Sequence, residues 1–166
     1  QLEWHIRNTG GTFSRFVYDD LKEKTLLRLE GPFGTFYLRD TDKPMVFVAS
    51  GTGFAPIKAL LEQLAAQNNT RPVSMYWGGR QLKDLYMHQW VVDFAKNHDW
   101  LTYTPVLSEV ADGDTWDGAT GYVHHQVLAD FSDLSGYEVY ACGNPLMVDS
   151  ARKDFTEQRG LDEENF

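Results

Sequence analysis

From Met45 onward the chain alternates four times between a short apolar run and a longer stretch of helical pattern. The runs lie at residues 45–49, 73–77, 101–107 and 137–142, and the helical patterns at 56–66, 83–97, 122–131 and 146–159. The first two runs have no clear solvent face, as strands covered on both sides of a parallel sheet require. Joining parallel strands needs a crossover of a dozen or more residues, and a helix is the compact way to make one. The alternation therefore predicts an α/β fold: a parallel sheet with helices on both faces. In the first helix Ile57, Leu60, Leu61 and Leu64 share one face, and the Asn-Asn-Thr-Arg-Pro stretch at 68–72 turns the chain after it. Gly160 is placed to end the last helix.

The first 40 residues carry a different pattern. Leu2, Trp4 and Ile6 alternate with polar residues, which describes a half-buried antiparallel strand over 2–7. Residues 13–21 predict a short helix and 25–30 a second strand, with a Gly-Pro-Phe-Gly turn after it. Two strands and a helix are too few to close an antiparallel domain. Residues 1–41 are therefore expected to be the trailing part of a β-barrel whose earlier strands are absent, and 42–166 the parallel domain. There is no internal repeat and no low-complexity tract.

Three glycine turns fall at strand ends: Gly51-Thr52-Gly53, Gly78-Gly79-Arg80 and Cys142-Gly143-Asn144-Pro145. All three lie on the carboxyl edge of the expected sheet, where open α/β folds bind their ligands. Pro56 suits the first turn of the helix that follows the first of them, because that N–H has no helical acceptor. The remaining N–H groups and the helix dipole favour an anion there, and glycine lets a diphosphate come close to the backbone. A P-loop is excluded, since Lys58 is displaced into the helix and no Gly-Lys-Ser/Thr is present.

Charge and cysteine use narrow the chemistry further. A net charge of −9 with scattered basic residues excludes the basic stripe that nucleic-acid binding needs. A single cysteine, Cys142, excludes an internal disulfide and an iron–sulfur cluster held by this chain. No apolar run approaches the roughly 20 residues of a membrane span. The opening QLEWHIR has neither the basic start nor the apolar centre of a signal peptide, so a reducing cytoplasm is the expected compartment. Asp112, Asp114 and Asp117 form an acidic loop, read as a solvated surface.

Taken together, GTGFAP, YWGGRQLKDLY and YACGNPLMVDSARKDF resemble the ferredoxin–NADP reductase superfamily of FAD-dependent reductases. Within it they are most similar to bacterial oxygenase reductases and CDP-6-deoxy-Δ3,4-glucoseen reductase. Upstream, IRNTGGTFSRFVYDDLKEKTLLRLEGPFGTF resembles the end of that family's flavin-binding barrel. The likeness implies that Gly51, Thr52, Gly53, Ala55 and Pro56 hold the pyrophosphate of NAD(P). It implies that Gly78 and Arg80 line the pocket, with Asp84 bracing the turn; the bland alternative for Arg80 is a surface ion pair with Asp84. It places Cys142, Gly143, Pro145 and Met147 beside the nicotinamide, with Cys142 at the reacting carbon as an aligning group rather than a nucleophile. The bland alternative for Cys142 is a small buried hydrophobe. It also implies that Gly11, Thr12, Phe13 and Ser14 take the FAD pyrophosphate at a helix start, although Ser14 can equally serve as a plain helix cap. The family's first flavin motif has no match, so FAD is expected only in an intact protein and the chain's final strand is expected to be cut off.

Other chemistries find little support. His124 and His125 are adjacent, so they are expected to face different sides of a helix, and no metal site is expected. No Gly-x-Ser-x-Gly elbow surrounds Ser50.

The resemblance thus implies an NAD(P)H-dependent flavoprotein oxidoreductase. Hydride passes from NAD(P)H to FAD, then electrons to an iron–sulfur centre in a missing domain or a partner, or to another acceptor. A stand-alone flavin reductase and a nucleotide-sensing module without turnover remain open. Ser108 is followed by Glu109 where NADP-using relatives carry arginine, so NADH is expected over NADPH, with Asp112 and Asp114 adding to the negative field.

Overall fold

The computed structural model describes residues 2–110, 113 and 115–166. The chain divides into two compact units, Gln1–Tyr37 and Leu38–Phe166. The division falls four residues before the expected one, because residues 38–41 belong to the second unit. Leu38 packs against its core, the Arg39 N–H donates to Tyr140 Oη at 2.8 Å, and Thr41 Oγ1 donates to buried Glu138 at 2.8 Å.

The first unit contains helix α1 (Thr12–Arg15), which continues into a π-helical turn, Phe16–Asp20. Neither expected strand, at 2–7 or 25–30, has a ladder among the described residues. A strand is completed by a neighbour's backbone groups, and alternation in sequence cannot supply that neighbour. Most of their apolar residues accordingly stand exposed, Leu26 at 98% and Leu2 at 76%, while Ile6 is half-buried.

The second unit is a five-stranded, all-parallel sheet. Its strands are β1 (Met45–Ser50), β2 (Val73–Gly79), β3 (Leu101–Leu107), β4 (Ala119–Thr120) and β5 (Glu138–Cys142), in the spatial order β4-β3-β2-β1-β5. The helices are α2 (Phe54–Ala66), α3 (His88–Lys96), α4 (Val123–Asp130) and α5 (Pro145–Arg159). Alternate side chains of β1 feed two separate cores. Met45, Phe47 and Ala49 meet Ile57, Leu61 and Val91 of α2 and α3 on one face. Val46 and Val48 meet Val123, Val127, Ala151 and Phe155 of α4 and α5 on the other. This is why the β1 run is apolar throughout: both of its faces are interior. Gly160 caps α5 with φ 66°, the left-handed conformation that favours glycine.

Two details depart from the sequence pattern. The helix expected over 83–97 is interrupted: a 3₁₀ turn, Leu82–Asp84, precedes α3. Asp84 Oδ2 accepts the N–H groups of Arg80 and Gln81 at 3.1 and 3.0 Å, which closes a local turn in place of the first helical one. The short strand β4 was not expected; its two residues lie between Gly118 and Gly121 and pair with the end of β3. No helix among the described residues is long and apolar enough to cross a membrane.

Candidate functional site

Strand β1 has β2 on one side and β5 on the other, and the segments that leave β1 and β5 at the carboxyl edge run to helices on opposite faces of the sheet, α2 and α5. In open α/β sheets such a switch point opens a crevice. Two turns border it. After β1, Gly51–Gly53 forms a 3₁₀ coil running directly into α2. After β5, Gly143 and Asn144 lead into α5, where the Asn144 side chain accepts the Leu146 N–H at 3.0 Å and Pro145 occupies the first helical position. Two helices of 13 and 15 residues thus present their N-terminal ends at one sheet edge. Their first N–H groups have no acceptor within the helix, and their dipoles favour negative charge there.

The glycines differ in what they are for. Gly51 has φ 53° and nothing within 4 Å of the position a Cβ would take, so its conformation requires glycine and its open side stays clear. Gly53 was expected to leave room for a diphosphate, but the structure fills that room with its own backbone. A Cβ on Gly53, whose φ is an ordinary −59°, would lie 2.1 Å from the Cys142 carbonyl oxygen and 2.5 Å from the Gly143 nitrogen. Gly143, with φ 146°, is pressed in turn against Ser50: a Cβ there would lie 2.2 Å from Ser50 Oγ. The same hydroxyl accepts the Asn144 N–H at 2.9 Å. The two turns are therefore keyed to one another across the crevice. Sequence reasoning considered Ser50 only as a nucleophile and missed this role.

Cys142 ends β5 half-buried beside these turns. Burial pushes its thiol above the ordinary range, and the Gly143 N–H only partly offsets that. The group stays a neutral thiol at physiological pH, which suits packing and alignment and not nucleophilic attack. Thr52 is exposed, Ala55 and Pro56 are half-buried in the first turn of α2, and Pro145 is exposed. Met147 packs against the core beneath α4 and α5.

Under the first turn lies an aromatic stack that the sequence pattern did not reveal. Phe54 and Trp77 are stacked with centroids 4.0 Å apart, and Tyr86 meets the Trp77 ring edge-on at 5.2 Å. This stack fixes the start of α2 against the end of β2.

The second glycine turn carries a separate group. A Cβ on Gly78 would lie 2.8 Å from Val123 Cβ, so this glycine admits α4 rather than a ligand. Beyond it the backbones of residues 79–80 and 108–109 run together: Ser108 N–H donates to Gly79 O at 2.9 Å and Glu109 N–H to Arg80 O at 2.8 Å. That pairing brings Arg80, Ser108 and Glu109 side by side, with Arg80 Nε 3.8 Å from Glu109 Oε1 and both side chains exposed. The alternative ion pair of Arg80 with Asp84 does not form; Asp84 holds backbone N–H groups instead. Asp112 and Asp114 lie outside the described residues.

In the first unit Gly11 precedes α1, and Thr12 and Phe13 are exposed. Ser14 is buried; its hydroxyl donates to Gly11 O at 3.1 Å and accepts the Thr9 N–H at 3.3 Å. It sits inside α1 and is not its cap. His124 and His125 were expected to face apart, yet their rings are 4.2 Å between centroids, with His124 buried and His125 exposed.

The family model described as "Oxidoreductase NAD-binding domain" matches residues 47–153, which holds most of β1, both keyed turns and most of α5. The chain belongs to this family, within the ferredoxin–NADP reductase-like group. It is 43% identical over 169 residues to the CDP-6-deoxy-L-threo-D-glycero-4-hexulose-3-dehydrase reductase of Yersinia pestis, covering 99% of this chain and 49% of that protein. It is 33% identical over 153 residues to the reductase component of the naphthalene 1,2-dioxygenase system of Pseudomonas putida, covering 90% of this chain and 46% of that one. Its fold matches the flavohaem-like FAD/NAD-binding domain of the Vibrio cholerae nitric oxide dioxygenase, with a TM-score of 0.80 at 20% identity over 93% of this chain and 62% of that chain. The chain spans about half the length of the curated relatives it matches.

Proposed function

We propose that the second unit binds NADH in the crevice between β1 and β5, as the nicotinamide-binding domain of an FAD-dependent reductase. The observation that carries this reading is the pair of keyed turns. Gly51 leaves an open approach to the backbone, and two helix N-termini converge at a topological switch point. A diphosphate of charge about −2 gains from both dipoles, each worth roughly 0.3–1 kcal/mol at a surface. The nicotinamide supplies a hydride and FAD accepts it for onward electron transfer, so the chain's own task is alignment. Gly51, Thr52, Gly53, Ala55 and Pro56 hold the diphosphate side, and Cys142, Gly143, Pro145 and Met147 border the nicotinamide side. Gly11, Thr12, Phe13 and Ser14 contribute a helix start toward FAD.

Glu109 decides the choice of cofactor in this reading. Its carboxylate accepts hydrogen bonds from ribose hydroxyls and repels a 2′-phosphate, while its ion pair draws Arg80 away from that phosphate. Arg80 and Ser108 shape the same pocket. The acceptor beyond FAD is an iron–sulfur centre, in another domain or a partner protein, in keeping with the dioxygenase-system and dehydrase reductases among the relatives. A reducing cytoplasm is the matching compartment. The test is steady-state reduction of an artificial electron acceptor by the full-length protein, with NADH as donor, in wild type and Gly51→Val. A large loss of activity with FAD content and circular dichroism retained supports the assignment. Unchanged kcat/KM in the variant overturns it.

A further inference from the structure

Away from the crevice, α4 and α5 lie against one another on the same sheet face. Near the end of α4 their seam is closed by Arg159, whose Nε donates to Phe131 O at 2.7 Å and Nη2 to Leu128 O at 2.9 Å. Near the start of α4 the seam holds a different set of groups. His124 is buried, 7% exposed, and its Nδ1 has no hydrogen-bond partner among the described residues. Its Nε2 lies 3.7 Å from Asp154 Oδ2 on α5, beyond normal hydrogen-bond length. The exposed His125 closes the group: one donor atom each from His124, His125 and Asp154 lie within 4.8 Å of one another.

We propose that His124, His125 and Asp154 bind a divalent cation of the zinc class, which staples α4 to α5. Two imidazoles and one carboxylate suit Zn²⁺, Ni²⁺ or Cu²⁺, whereas Mg²⁺ and Ca²⁺ prefer sets built from oxygen. Zinc bonds of about 2.0–2.2 Å in tetrahedral geometry place ligand atoms roughly 3.3–3.5 Å apart. The 3.7 Å separation of His124 and Asp154 is already close to that. A gap of 4.8 Å closes to that spacing by about 1.4 Å of side-chain movement, which the solvent-facing His125 can supply. Three protein ligands leave a fourth position for water, and the cation reaches the site from the His125 side. The buried His124 Nε2, which stands 3.7 Å from Asp154 and beyond hydrogen-bond length, gains a partner when the cation binds. Val123, next to His124, is packed on Gly78, so a fixed α4 start also holds the end of β2.

The test uses the chain without a histidine tag, stripped with a chelator and titrated with Zn²⁺ against a chromophoric competitor. One equivalent should bind and raise Tm. Affinity should fall at least about tenfold in His125→Ala and in Asp154→Asn, with the Tm gain lost in both. Both substitutions are on exposed or half-exposed positions, and circular dichroism checks that each variant is folded. His88→Ala should bind like wild type. The proposal is overturned if wild type binds no Zn²⁺, or if both variants bind as wild type does, which would assign the ion to other donors.

Discussion

Gly53→Ala is predicted to act on the fold before it acts on any ligand. The added Cβ would lie 2.1 Å from the Cys142 carbonyl oxygen and 2.4 Å from its carbon, both backbone atoms that no rotamer change can move. A normal contact requires the β5–α5 turn to retreat by about 1 Å, and overpacking of that kind costs roughly 1–3 kcal/mol. The retreat also breaks the bond from Asn144 N–H to Ser50 Oγ, worth about 0.5–1.5 kcal/mol. The sum, about 1.5–4.5 kcal/mol, is a large part of the 5–15 kcal/mol typical of a domain. At roughly 2–4 °C per kcal/mol for this size, Tm should fall by about 3–18 °C. Gly51→Ala is the control: it meets no atom within 4 Å and incurs only left-handed strain, about 1–2 kcal/mol. Thermal melts of the chain and both variants, followed by circular dichroism, decide the matter. If Gly53→Ala melts within about 2 °C of wild type, or above Gly51→Ala, the interlocking of the turns is refuted.

Ser50→Ala removes the hydroxyl that accepts the Asn144 N–H and should cost about 1 kcal/mol, a Tm loss of about 2–4 °C, with weaker NADH binding by titration calorimetry. Burial raises the Cys142 thiol, so its alkylation by iodoacetamide should reach half-maximal rate at higher pH in the folded chain than in urea, where a free cysteine titrates near 8.5. The sign is that the folded state holds this proton more tightly, so its contribution to stability is lost as pH rises past the unfolded value. Glu109→Arg in the full-length protein should move the kcat/KM ratio toward NADPH by on the order of tenfold, or about 1.4 kcal/mol. Wild type that already prefers NADPH would remove the basis of that reading.

The parallel sheet was legible because its central strand β1 is buried on both faces, which leaves the continuous apolar run Met45 to Ala49. The end of α5 was legible too, since Gly160 acts through local geometry. What failed to show depends on distant or competing partners. The reason for glycine at 53 is a backbone 90 residues further on, and no local pattern records it. The break before α3 comes from one carboxylate, Asp84, taking two backbone N–H groups in a stretch whose apolar spacing still reads as helix. In the first unit the alternation at Leu2, Trp4 and Ile6 describes a strand, but a ladder needs a neighbour the pattern does not contain. The pairing of Arg80 with Glu109 likewise arises only once β2 and β3 are in register.

The central claim is that NADH binds across the keyed turns, and amide chemical shifts in the ¹⁵N-labelled chain test it most directly. On titration with NADH, the largest changes should fall on Gly51, Thr52, Gly53, Gly143 and Asn144, with a second group at Arg80, Ser108 and Glu109. The opposite edge of the sheet, at Thr70 and Thr102, should stay unmoved. Saturable shifts confined to that opposite edge, or none at millimolar NADH, would contradict the account.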